Sequence, residues 1–213
     1  MAYRNRFPFV DVDLDKKLQD AGFSVAASGR AVLRLSADGQ ESVALRWTSE
    51  GGAEIYYDPA RGFLSAEGNV PTAVAESFKK LVSVAQTLLG QNWSGETKWA
   101  ELYSNVRILS DKQPLDAYAA TYSPKVVERM SGILGLPVKP FLFAVFSSHG
   151  GEAGQPLNEV PDWVNIIIEP FIPNPKYYFM KLVFRQQEVS KVVTFASKYE
   201  PIVEDVISGI EGR

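Results

Sequence analysis

Ser147-Ser148-His149-Gly150-Gly151 sets hydroxyls, the chain's single imidazole and flexible backbone side by side. A serine nucleophile needs a base within hydrogen-bond reach and donors for the oxyanion that forms. Gly150 and Gly151 could lend backbone N–H groups, and Glu152 follows as a further titratable neighbour. The spacing works against this assignment. On an extended chain Ser148 and His149 point to opposite sides. Ser147 and His149 share a side, but no G-x-S-x-G lifts either serine onto a strand-to-helix turn. A polar turn after a core strand is the better reading. Ser147, Ser148, His149 and Glu152 are weak catalytic candidates.

Acidic residues give two further patterns. Asp11, Asp13 and Asp15 alternate. If extended, they share a side and could hold a hard cation through oxygen ligands. The glycine and later glutamate of a calcium loop do not follow at the required positions. A helix N-terminus, whose exposed amides favour acidic groups, explains the triplet better. These aspartates are weak metal candidates. Glu152, Glu159 and Asp162 flank the glycines. Carboxylates held about 5–9 Å apart can do glycosidic acid–base work, but spacing along a loop sets no such distance. No Gly-rich phosphate loop is present, and no cofactor is expected.

Composition narrows the classes. The 213 residues include no cysteine and one histidine. That removes disulfides, thiol nucleophiles and thiolate metal sites, and fits a reducing, cytoplasmic setting. The net charge of −3 is evenly spread: eleven basic and thirteen acidic residues up to Val106, eleven and twelve after it. Neither half carries the cationic surplus that phosphate neutralisation needs, which disfavours nucleic acid. The most apolar run, Phe141–Phe146, falls far short of the roughly 20 residues of a membrane span. Met1–Phe9 lacks the apolar segment of a secretory signal. Ile210–Arg213 match the recognition site of a processing protease and receive no functional weight.

The elements that must position these residues follow from periodicity. Asp13–Ala21 reads as a short helix. Ala31–Leu35, Ser42–Thr48, Glu54–Tyr57 and Phe63–Ala66 read as an antiparallel meander, broken at Asp38-Gly39, Gly51-Gly52 and Asp58–Gly62. Pro71–Leu89 is a long amphipathic helix stopped by Gly90. Gln91–Lys98 is polar and reads as a joint. Trp99–Leu109 restarts as a strand, and Ser123-Pro124 opens a helix carrying Val127, Met130 and Leu134. Phe141–Phe146, apolar on both faces, reads as a buried strand, and Ser147–Pro161 as a polar loop. Trp163–Ile172 and Tyr177–Arg185 form a hairpin in which Ile167 lies opposite Lys181. A final helix, Glu188–Ile210, is kinked or split by Pro201.

The expected class is therefore α+β, with antiparallel sheet covered by two long amphipathic helices. Residues 1–90 and 99–213 form two halves, or one continuous compact domain. The order of elements is similar in both, as a tandem pseudo-repeat would give, although no motif recurs at fixed period. Aromatic residues are plentiful on the last hairpin. Tyr177, Phe179 and Lys181 share its less apolar face, and Trp163 opens it. These four are the candidate interaction residues. The first expectation is a non-catalytic protein-interaction module that self-associates or takes a protein partner. The alternatives are a small-molecule-binding protein or enzyme with its site under residues 147–161, and nucleic-acid binding on a doubled sheet.

Overall fold

A computed structural model describes residues 1–4, 8–9, 11–26, 31–35, 41–149, 156 and 160–213. Two compact units emerge: Met1–Glu101 with Gln186–Tyr199, and Leu102–Arg185 with Glu200–Arg213. Both are α+β with antiparallel strands. No helix among the described residues is long and apolar enough to cross a membrane.

The first unit runs β1 (Ala2–Tyr3), α1 (Asp11–Asp20), β2 (Phe23–Val25), β3 (Ala31–Leu35), β4 (Glu41–Ser49), β5 (Glu54–Asp58), β6 (Phe63–Glu67) and α2 (Pro71–Leu89). A 3-10 turn at Gly90–Asn92 and α3 (Trp93–Glu96) stand where a polar joint was expected, and β7 (Thr97–Leu109) begins here. Strands β4, β5, β6, β1 and β7 neighbour one another in that order, with β2 and β3 both on β4. The pairs Trp47↔Ile55 and Tyr57↔Leu64 put four large side chains on one face, and all four are completely buried. Against β6 and α1 packs α2, with Phe78, Leu81 and Ala85 buried. The expected Asp38-Gly39 turn lies outside the described residues; Leu35 and Glu41 pair on either side of it.

The other face of this sheet is polar. Register sets Glu54 directly opposite Glu67, an arrangement that repels unless it is compensated. Each has its own cation: Arg46 lies 3.5 Å from Glu54, and Arg34 2.8 Å from Glu67. Arg34 also stacks 4.3 Å from the centre of the Tyr56 ring. These charges answer one another across the sheet and hold it in register.

The second unit takes the rest of β7, then α4 (Pro114–Thr121), α5 (Pro124–Leu134), β8 (Phe143–His149), β9 (Asp162–Pro170) and β10 (Tyr177–Gln186). Its strand order is β7-β10-β9-β8. The hairpin register is the expected one, with Lys181 opposite Ile167. Tyr178, Met180, Leu182 and Ile168 are fully buried, and Tyr118 of α4 meets Tyr178 edge-on at 5.8 Å.

The end of the chain forms two helices, α6 (Val189–Ser197) in the first unit and α7 (Tyr199–Glu211), which from Glu200 belongs to the second. The break falls at Lys198. A proline ring collides with the carbonyl four residues earlier, and for Pro201 that is Ser197.

Two expectations need correction. Phe141–Phe146 is not a buried strand: Phe141, Leu142, Val145 and Phe146 are all exposed, because β8 is the last strand of its sheet. Ser147–His149 does not belong to a loop, because β8 continues through it.

Asp15 ties α1 to the sheet by accepting from the Trp47 indole N–H at 2.7 Å. A buried donor stripped of a charged acceptor costs about 1–3 kcal/mol. Asp15→Ala is therefore expected to lower the unfolding free energy by about that amount in urea titration, while Asp13→Ala, at an exposed position, changes it by less than about 0.5 kcal/mol. Equal effects would remove the assigned role.

Candidate interaction surface

Strand residues alternate sides, so register sorts the second unit's side chains onto two faces. One is the core face of Tyr178, Met180 and Leu182. The other carries Phe179, Lys181 and Arg185 from β10, beside Glu169, Ile167 and Trp163 from β9. Ala144, Phe146 and Ser148 join them from β8, opposite Ile167, Asn165 and Trp163.

Cations stand over rings along this second face. Lys181 Nζ lies 5.5 Å from the centre of Phe179, Arg107 Cζ 5.4 Å from Phe171, and Arg185 Cζ 5.0 Å from Trp163. Phe171 and Phe179 are 6.4 Å apart, Phe146 and Trp163 6.2 Å. Each cation–ring contact contributes about 0.5–1 kcal/mol where water reaches it. The structure thus brings Trp163, Phe179 and Lys181 onto one face, as the alternation implies. Tyr177 closes the hairpin, its carbonyl accepting from the Phe171 N–H at 2.8 Å. Arg107, Phe171 and Phe146 were missed, although strand parity was a signal that could have found them.

Helix α5 provides an exposed surface; on the strand face only part is open, since Arg185 is buried. It starts at Pro124, which needs no N–H partner, and stops at Gly135, whose φ of 68° is left-handed. Val126, Met130, Ile133 and Leu134 form its apolar stripe; Lys125, Glu128 and Arg129 lie off it. Such a stripe ordinarily faces a core. Here no residue of α5 is buried, and exposure reaches 54% at Val126 and 67% at Ile133. The connection from α5 to β8 is fastened at two points. Val138 N–H donates to Ser131 Oγ at 3.1 Å, and the Tyr122 hydroxyl donates to the Leu142 carbonyl at 2.6 Å.

Of the catalytic candidates, only Ser147 and Ser148 are described with their side chains. Ser147 and Ser148 are exposed at consecutive, opposite-facing positions of β8. His149 pairs with Asp162 in the ladder, but its side chain, Glu152 and Glu159 lie outside the described residues. Asp13 and Asp15 lie in α1 rather than in an extended segment, so these two do not share a side. The Asp11 side chain is likewise outside the described residues, and no metal-holding cluster of histidines or carboxylates occurs among them.

One buried carboxylate was overlooked in the sequence. Glu211 lies in the protease-site motif, yet its side chain is sealed from water. Glu211 Oε1 accepts from Ser110 Oγ at 2.8 Å, Asp111 N–H at 3.1 Å and Lys112 N–H at 3.3 Å, with the Tyr178 hydroxyl 3.4 Å away. Arg213 pairs with Oε2 at 2.9 Å. Burial alone would push the pKa of this carboxyl up, but Ser110, the Lys112 amide, Arg213 and the Asp111 amide outweigh it and hold it below the ordinary glutamate range. Burial pushes the Tyr178 hydroxyl up. Beside this knot opens a cleft of about 520 Å³ lined by Lys112, Gln113, Asp116, Ala117 and Thr121. A carboxylate so fully hydrogen-bonded anchors α7 to the turn after β7; it is poorly disposed to take up a proton.

No protein-family model, curated protein sequence or solved structure matches this chain.

A carboxyl held low in the folded state stabilises the fold above the ordinary glutamate range. That contribution is lost as pH falls through its depressed folded value. Glu211→Gln is expected to cost about 1–3 kcal/mol at neutral pH and to flatten the acid limb of the stability curve, both read by urea unfolding at a series of pH values. An acid limb parallel to that of the unaltered protein would contradict the anchor.

Proposed function

We propose that this chain is a non-catalytic protein-interaction module that works through its second unit. The observation carrying this reading is α5, an amphipathic helix with no buried residue. Exposed apolar patches of this kind mark sites that another surface covers. The aromatic and cationic face around Trp163, Phe179 and Lys181 supports the same reading, since interface centres are enriched in such side chains. A cytoplasmic location is supported by the lack of cysteine.

A tandem pseudo-repeat is supported by connectivity. In the first unit the opening strand β1 lies beside β6, the last strand of the meander. In the second, β7 lies beside β10, again the last. In both, a helix follows the opening strand.

Nucleic-acid binding is the second reading, favoured by the rings and cations on the β10–β9 face, which suit stacked bases and phosphates. Salt-sensitive binding of a labelled single-stranded oligonucleotide, lost in Phe179→Ala, would select it. No binding at low salt would dismiss it.

The module reading makes a direct demand on α5. Met130→Asp and Ile133→Asp together are expected to shift stability by less than about 1 kcal/mol, within the range of surface changes, while abolishing the binding of an apolar reporter dye to the native protein. Unfolding of the double variant would show that the stripe is core and end the reading.

A further inference from the structure

An edge strand presents a row of unpaired N–H and C=O groups, and proteins ordinarily blunt it with proline, lysine, a bulge or short length. Strand β8 uses none of these. It is seven residues long, pairs with β9 on one side, and meets no other strand among the described residues. Residues 143–148 carry no charge and no proline. Val145 is 42% and Phe146 47% exposed.

We propose that a second copy of this chain covers β8 and α5, with β8 pairing antiparallel to β8 of the copy about a two-fold axis. This rests on the interaction-module reading and names its partner. A two-fold interface must be complementary to itself. An antiparallel strand edge meets that condition, because its pattern of donors and acceptors repeats on reversal. The uncharged β8 brings no like charges opposite one another. The border of α5 is also self-complementary. Lys125, Glu128 and Arg129 are exposed and make no ion pair among the described residues. Run antiparallel beside a copy, Glu128 can come opposite Lys125 or Arg129 of the other chain.

Size points the same way. Nine large apolar side chains between Val126 and Phe146 are 38% to 67% exposed, more than the scattered single exposed residues of an ordinary surface, and paired β8 backbones would add to what they bury toward the ~800 Å² per partner of a standard interface. The hydrogen bonds of Tyr122 to Leu142 and of Val138 to Ser131 link this surface from α4 to the start of β8.

The experiment is sedimentation equilibrium of the full chain across the micromolar range. The expected result is a reversible dimer. Val145→Lys, which puts a charge on the pairing edge, is expected to weaken it about tenfold or more with an unchanged circular dichroism spectrum. Glu128→Arg, which leaves the sheet untouched, weakens it as well and keeps the test independent of strand folding. A mass of one chain at every concentration overturns the proposal, as does a dimer that neither substitution weakens. Single-chain mass with a folded Met130→Asp/Ile133→Asp variant would reject the second copy while leaving the interaction-module reading standing. A lipid surface as the occupant would show instead as sedimentation of a single-chain protein with anionic vesicles.

Discussion

An amphipathic helix is stable in water only when something covers its apolar stripe, and α5 finds no such cover among the described residues of the second unit. The unit's sheet has one buried face, filled by Tyr178, Met180, Leu182 and Ile168 with Tyr118 beside them. The stripe of Val126, Met130 and Ile133 is left in solvent, next in sequence to a strand edge that is also apolar and meets no other strand among the described residues. Hydrophobic free energy scales with the area removed from water, at roughly 25 cal/mol per Å². A surface that withholds this stabilisation from the isolated fold has it to contribute to association.

The buried polar groups meet the opposite requirement. A polar atom taken from water must find a partner. Asp15 receives the Trp47 indole. Asp58, almost fully buried, accepts from Ser42 Oγ at 2.5 Å and from the Arg61 amide at 3.1 Å, which closes the turn between β5 and β6. Glu211 gathers donors from the turn after β7. Each of these carboxylates is committed to holding an element in place. Their hydrogen bonds account for them structurally, without a substrate.

Much of the fold was legible because local rules act at short range. Pro71 and Gly90 bound α2, Pro124 and Gly135 bound α5, and Pro173-Asn174-Pro175 fixed the register of β9 on β10. What escaped depends on contacts distant in sequence. An apolar run such as Phe141–Phe146 has the same pattern whether its strand is central or at an edge. Helix α4 is short and weakly patterned, so only Pro114 marked it. Glu211 resembles any acidic residue near a helix end until the turn at Ser110–Lys112 comes to meet it. That Phe179 and Lys181 share a face was legible, because alternation along a strand determines which side chains lie on the same side.

Hydrogen exchange of the backbone amides, followed at low and high protein concentration, tests most directly whether another copy completes the surface of α5 and β8. Protection of the amides on the open edge of β8 that rises with concentration, with α5 slowing alongside, is the expected result. Exchange in β8 and α5 that is equally fast at both concentrations would contradict it.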